Sequence, residues 1–248
     1  MGILSLFKKQ YTPKPIFEAL GTDMHCHLIP RVDDGSKCIE ESIECLNTLK
    51  AVGYKKVIIT PHFQHPRFDN DEDDIRQRYE EVKRQAAEAG VEIEIAGIGG
   101  EYRIDSGFKN RLENPRFLKV GGKYVLVEFS LHQQMMGVDE MIFDMQMNGY
   151  EVILAHPERY PYLNVHSSEI IKMRELGVAF QVNILSLNNF YGESAMRKGF
   201  EYIEKGMSEY LGTDTHNMRY IQALMETAEN KEVQKVLKNH KFKNAELA

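Results

Sequence analysis

The stretch Thr22-Asp23-Met24-His25-Cys26-His27 decides how the rest of the chain is read. As a short strand it sends alternate side chains, Asp23, His25 and His27, to one face, where the two imidazoles can grip one metal ion. The apolar tract before it, 16–20, is short, and Pro30 with Asp33-Asp34-Gly35 ends it at once, so the histidines fall at the strand's carboxyl end. In a β/α barrel that end carries the active site. Taken alone, a His-x-His pair is more often two hydrogen-bonded or surface histidines. This pair is not alone.

Outward from it, strand-like runs alternate with helical ones and keep finishing on a potential ligand. Ser36 can cap a helix with Ile39, Ile43, Leu46 and Leu49 at helical spacing, stopped by Gly53. The β-branched run 55–60 ends in Pro61-His62. A charged helix, 69–89, precedes the run 91–98, which ends in Gly99-Gly100-Glu101. After a short helix at 107–114, strand 124–129 carries Glu128 among apolar neighbours, where a lone carboxylate is costly unless paired or bound to a cation. Helix 139–147 leads to strand 151–155 and His156-Pro157-Glu158-Arg159. Helix 168–176 leads to a sixth strand, 178–184, with no evident ligand. Helix 194–205 leads to strand 209–213 and Asp214-Thr215-His216, and helices at 218–229 and 231–239 close the chain.

Seven strands alternating with helices predict an α/β fold, a distorted seven-stranded (β/α)7 TIM-like barrel formed by one domain over 16–248. At its C-terminal mouth stand His25, His27, His62, Glu101, Glu128, His156, Asp214 and His216. Each has a structural alternative, such as a strand cap or a solvated turn. Their shared topological position favours one cluster over so many unrelated jobs. His65, His132, His166 and His240 lack that placement and read as surface or supporting residues.

Composition narrows the class. The 248 residues carry a net charge of −6 with dispersed basic side chains, which argues against a nucleic-acid groove. The three cysteines, Cys26, Cys38 and Cys45, offer neither a disulfide framework nor a Cys-x-x-Cys zinc motif, which points to a reducing, cytoplasmic setting. No apolar run is long enough to span a membrane, so no stable membrane insertion is expected, and residues 1–15 read as a mobile arm. Imidazoles mixed with carboxylates and no thiolate suit Mn²⁺, Fe²⁺ or Zn²⁺ better than Ca²⁺ or Mg²⁺ alone. The donors exceed what one ion needs, so two or three ions are expected, with Glu128 as the bridging candidate. Such a cluster activates water and neutralises charge on a phosphoryl oxygen.

With these residues assembled, the sequence resembles the PHP (polymerase and histidinol phosphatase) superfamily, and within it the capsule-type, manganese-dependent bacterial protein-tyrosine phosphatases. The quotable pieces are Asp23-Met24-His25-Cys26-His27, Asp33-Asp34-Gly35, Thr60-Pro61-His62, Gly100-Glu101, Val127-Glu128-Phe129, Ala155-His156-Pro157-Glu158-Arg159-Tyr160 and Asp214-Thr215-His216-Asn217. The resemblance implies a trinuclear site held by His25, His27, Asp34, His62, Glu101, Glu128, His156, Asp214 and His216, and it alone selects Asp34 over Asp33. It implies a phosphate-gripping, catalytic arginine at Arg159 and a second after the last histidine, for which Arg219 is the candidate. Arg31 stands at the mouth where the family pattern more often has a small residue, and is a further candidate for the substrate.

The leading expectation is a metal-dependent phosphomonoesterase that attacks phosphotyrosine with a metal-bridged hydroxide. The resemblance implies the tail of a bacterial tyrosine kinase in polysaccharide export as the partner. A phosphocysteine mechanism is excluded, because no cysteine has an arginine at the spacing that mechanism uses. The alternatives are a histidinol phosphatase or other small-molecule phosphomonoesterase, a metal amidohydrolase, and a non-catalytic scaffold that binds kinase tails. The amidohydrolase pattern normally pairs His-x-His with a lysine carboxylate bridge, whereas Glu128 and Asp214-x-His216 stand here. No ligand position is missing, which disfavours the scaffold.

Overall fold

A computed structural model describes residues 13–133 and 136–248. Among them strands and α-helices follow in the order β1 (Thr22–Asp23), α1 (Ile39–Ala51), β2 (Lys56–Ile59), β3 (His62–Phe63), α2 (Glu72–Glu88), β4 (Glu94–Ile98), β5 (Glu101–Arg103), α3 (Phe108–Glu113) and β6 (Tyr124–Glu128). The second half adds α4 (Val138–Met147), β7 (Glu151–Ala155), α5 (Ser168–Glu175), β8 (Ala179–Asn183), α6 (Glu193–Glu204), β9 (Tyr210–Gly212), α7 (Met218–Ala228) and α8 (Lys231–Asn239). Most of the expected 1–15 arm lies outside the described residues. Within the rest of it, the Lys14 ammonium sits 2.7 Å from the Glu229 carboxylate.

All strand pairings are parallel, as strand–helix–strand alternation requires. They form a three-stranded sheet ordered β1-β2-β4 and a six-stranded sheet ordered β3-β5-β6-β7-β8-β9. Beyond the predicted strands 55–60 and 91–98 the structure adds two short ones, β3 past Thr60-Pro61 and β5 past Gly99-Gly100. Pro61 has no N–H for a ladder. At Gly100 a Cβ would lie 2.6 Å from the Tyr102 ring and 2.8 Å from the Phe63 ring, so packed aromatics hold the chain to glycine there. The tract 16–20 forms turns rather than a strand, and buries Phe17 and Leu20 in the core.

Hydrogen bonds link the chain beyond β1 to the chain beyond β9. Asp214 N donates to His25 O at 2.8 Å and His27 N donates to Thr215 O at 2.8 Å. The buried Asn244 side chain spans the same seam: its Nδ2 donates to Thr22 O at 3.0 Å and Leu211 O at 2.6 Å, and its Oδ1 accepts from Leu211 N at 3.0 Å. Asn244→Ala orphans three buried backbone groups, each worth about 1 kcal/mol or more. We expect a loss of about 2–4 kcal/mol, read as a lower urea midpoint at unchanged slope. An unchanged midpoint would remove Asn244 from the seam's energetics.

Local chemistry explains the helices. Asp71 caps α2 by accepting from Asp73 N and Asp74 N, and the acidic first turn faces the positive end of the helix dipole. Ile75, Tyr79, Val82 and Ala86 recur at helical spacing and are buried. Ser36 does not cap α1 as predicted. Cys38 holds the cap position, and Ser36 is buried with its hydroxyl unpartnered among the described residues.

The strands carry two clusters of apolar side chains. Val125 and Val127 of β6 join the large outer cluster beneath the helices, whereas Leu126 joins Met24, Ile58, Ile153 and Tyr210 in a small one between the strands. Glu128 shares the Leu126 face by the period-two rule. The strand ends thus set a polar site directly above an apolar plug.

Candidate metal centre

Three of the histidines are held by their Nδ1 atoms. His25 Nδ1 lies 2.8 Å from Gln181 Oε1, His27 Nδ1 2.8 Å from Asp33 Oδ2, and His216 Nδ1 2.7 Å from the Asp214 carbonyl oxygen. All three partners accept, so each Nδ1 donates, and in the neutral ring each Nε2 is left to present a lone pair. The Nε2 atoms of His25 and His27 stand 3.2 Å apart. Glu101 Oε2 lies 3.2 and 3.3 Å from them, and Asp214 Oδ1 lies 3.4 and 3.3 Å from them. Four buried donor atoms therefore converge on one point.

A second group shares Glu101. Its Oε2 is 3.0 Å from His62 Nδ1, and Glu128 Oε1 is 3.5 Å from the same nitrogen. His156 Nε2 reaches the other Glu101 oxygen at 2.9 Å. Glu101 stands in two of the donor groups, whereas Glu128, the expected bridging candidate, stands in one. At a third corner, Asp34 Oδ1 lies 3.5 Å from both His62 Nε2 and His216 Nε2. Asp33 serves differently. Besides His27, its carboxylate accepts from His62 N at 3.0 Å and Gly35 N at 2.9 Å. Asp23, expected beside His25 and His27, instead accepts from the Thr213 hydroxyl and amide at 2.6 and 3.1 Å.

Strand ends aim these groups. His156 and Asp214, the first residues past Ala155 and Thr213, take left-handed backbone with φ of 36° and 54°. Such conformations cost non-glycine residues about 1–3 kcal/mol and cluster at functional sites.

Electrostatics test whether the donors fit a cation. Burial opposes charge on His27, yet Asp33, Asp214 and Glu101 hold it well above the ordinary imidazole range. His62 is partly buried, which also opposes its charge, and Glu101 brings it to about 9. Glu101 stays well below the usual carboxylate range against its burial because His25 and His62 face it. Glu128 is pushed up to about 7 by burial and by the charge on Glu101. The cluster draws in protons to offset its carboxylates. Meanwhile His62 Nδ1, His156 Nδ1, Glu101 Oε2 and Glu128 Oε1 are buried without a hydrogen bond among the described residues. Converging, unbonded lone pairs of nitrogen and oxygen fit divalent cations.

The mouth above them is a cavity of about 140 Å³, lined among others by Arg159, Arg103, Arg67 and Tyr220. Arg159 donates to Asp214 Oδ2 at 2.7 Å and lies 4.1 Å from the centre of the Tyr191 ring, its side chain 17% exposed. The two other arginines expected at the substrate do not line this cavity. Arg31 is exposed, with φ of 62°, and its Nε donates to Lys37 O at 2.9 Å. Arg219 is exposed over Phe190, 5.3 Å from the ring centre.

Sequence reasoning missed four contributors. Gln181 and Asn183 sit on β8, read as ligand-free, yet they hold His25 and, through a 3.0 Å bond from Asn183 Nδ2, Asp214. Arg103 and Arg67 also went unread. Arg103 stands two residues past Glu101, and that strand spacing was a usable signal.

Comparisons with known proteins follow the same lines. The tyrosine-protein phosphatase YwqE of Bacillus subtilis is 26% identical over 198 residues, 79% of this chain and 78% of its own. The tyrosine-protein phosphatase CpsB of Streptococcus pneumoniae is 28% identical over 204 residues, 79% of this chain and 83% of its own. A crystal structure of YwqE and CpsB, described as metal-dependent tyrosine phosphatases, superposes with a TM-score of 0.76 at 24% identity, over 91% of this chain and 93% of that one. A Lactococcus lactis histidinol phosphate phosphatase holding zinc, L-histidinol and phosphate shares the fold more distantly, with a TM-score of 0.51 at 16% identity over 86% and 93%. The family described as capsular polysaccharide synthesis, CpsB/CapC, matches residues 21–246, and the chain belongs to that family.

Proposed function

We propose that the protein is a metal-dependent phosphatase that hydrolyses phosphotyrosine on proteins. One observation carries the reading: Glu101 Oε2 lies 3.0–3.3 Å from three imidazole nitrogens, of His25, His27 and His62, and is hydrogen-bonded to none. The tyrosine-phosphatase relatives and the family membership supply the substrate class.

His25, His27, Glu101 and Asp214 would hold one divalent ion, His62, His156, Glu101 and Glu128 a second, and Asp34 with His216 a third. Manganese is the first choice, with iron or zinc next. Bound there, such ions supply Lewis acidity toward a phosphoryl oxygen and lower the pKa of a coordinated water. Gln181, Asp33 and the Asp214 carbonyl fix the imidazoles, and Arg159 presents a guanidinium to the phosphoryl group from the cavity wall. The phenol leaving group, with a pKa of about 10, needs little protonation to depart.

A seven-stranded barrel fits this reading: with β2 counted together with β3 and β4 with β5 there are seven strands, and seam bonds join the chain beyond β1 to the chain beyond β9. The partner is the tyrosine-rich tail of a bacterial tyrosine kinase governing polysaccharide export. Three free thiols suit the cytoplasm. No helix among the described residues is long and apolar enough to cross a membrane.

The test is a substrate screen beside elemental analysis. Purified protein should contain divalent metal, turn over phosphotyrosine peptide in preference to histidinol phosphate or a dipeptide, and lose activity after chelation and dialysis, with manganese restoring it. Full activity in metal-free buffer would end the proposal. Removal should also lower stability. At free metal near 100 times Kd, binding adds about 2.7 kcal/mol, so the stripped protein should melt roughly 5–10 °C lower.

A further inference from the structure

Arg103 is a nearly buried cation without an adequate partner. Its side chain is 16% exposed. Among the described residues it makes one long hydrogen bond, from Nη2 to Phe129 O at 3.3 Å, and its Nη1 stands 3.9 Å from Glu128 Oε1. A guanidinium carries five N–H donors in a planar fork, so most of that capacity is open, and burying a cation is costly unless it is paired. Arg159 contrasts with it, being joined to Asp214 at 2.7 Å and stacked on Tyr191.

Topology decides where those open donors face. Arg103 lies on β5 with the same facing as Glu101 and in register with Glu128 of β6, and β6 pairs in turn with β7, which leads to Arg159. The two arginines therefore reach the 140 Å³ cavity from the two sides of Glu128. Glu101 and Glu128 are already faced by histidines and, on the reading above, by divalent ions. The partner left for Arg103 is an anion that enters the cavity.

We propose that Arg103 is a second phosphate-contacting guanidinium, holding the phosphoryl group of the substrate opposite Arg159. The assignment rests on the phosphatase reading and extends it. A phosphomonoester dianion has three non-bridging oxygens, and two forks from opposite sides fix its orientation where a single fork leaves rotation free. The anion in turn satisfies donors that the folded chain leaves open.

The test uses the manganese-loaded full chain with inorganic phosphate as the probe. Arg103→Met keeps the length of the stem and removes the fork. Calorimetric titration should show phosphate binding weakened about 10- to 100-fold relative to the parent, with metal content by elemental analysis unchanged and Arg103→Lys recovering part of the loss. With a phosphotyrosine peptide, kcat/KM should fall by a similar factor. Parent-like phosphate affinity in a fully metallated Arg103→Met protein would overturn the assignment and leave the phosphatase reading intact. A loss of metal that accounts for the loss of phosphate would also overturn it, making Arg103 a support for Glu128. A metallated parent that neither binds phosphate nor cleaves the peptide would sink the phosphatase reading, and this assignment with it.

Discussion

Glu101→Gln is expected to lower phosphotyrosine hydrolysis by at least about three orders of magnitude, roughly 4 kcal/mol, with bound metal falling below half the parent's content. Among the described residues Glu101 is the one carboxylate shared by two of the three donor groups at the strand ends. Its two oxygens face His25, His27, His62 and His156. Glutamine keeps the volume and removes the charge, and its amide nitrogen would point N–H donors where lone pairs must converge on a cation. The fold should survive, because glutamine fits the same space and the strand ends stand above the apolar clusters rather than inside them. Far-UV circular dichroism and the urea midpoint check that point. Glu128→Gln provides the internal scale. It touches one group only, so its metal loss should be the smaller of the two. Equal metal loss in both variants would return the bridging role to Glu128, and full metal with full activity in Glu101→Gln would dissolve the centre altogether.

The residues that were legible in the sequence are those whose chemistry is conspicuous where it stands. A histidine or acid that closes an apolar run is costly there unless used, and His25, His27, His62, Glu101, Glu128, His156, Asp214 and His216 are brought to one mouth on that logic. Helices were read well because period and caps are local, as at α8, where the span 231–239 coincides with Lys231–Asn239. What stayed hidden depends on distant contacts. Gln181 and Asn183 are amides in an apolar strand, and only their pairing with His25 and Asp214, 156 and 31 residues away, gives them a role. The strand break at Gly99-Gly100 is held by packing against Val120 and Phe63, 21 and 37 residues away in the chain, which no short window of sequence contains. Arg31 and Arg219 were placed by resemblance, and their backbones carry them to the surface. Asp33 and Asp34 are neighbours of one type, and only the fold separates them, one behind His27 and one before His62 and His216.

Arg159→Ala should retain metal and fold while kcat/KM for a phosphotyrosine peptide falls by about two orders of magnitude, or about 2.7 kcal/mol. Retention of metal follows from the neighbours of Asp214. Its Oδ2 accepts from Asn183 Nδ2 at 3.0 Å and the Tyr191 hydroxyl at 3.2 Å as well as from Arg159, so the carboxylate keeps two of three donors when the guanidinium goes. The loss of rate follows from position. The arginine stands three residues past His156 and is 17% exposed, too enclosed for an idle surface pair, and it lines the cavity above the donor groups. A planar fork on Tyr191 is preorganised to meet two phosphoryl oxygens, whereas lysine offers one strongly hydrated charge that would abandon the ring contact. Arg159→Lys should therefore recover only part of the rate, with most of the remaining deficit in kcat if the contact tightens as charge develops and in KM if it is uniform. A metallated Arg159→Ala protein that works at the parent rate would leave Arg159 as a strut for Asp214, and the phosphoryl group would have to be held by Arg103 alone.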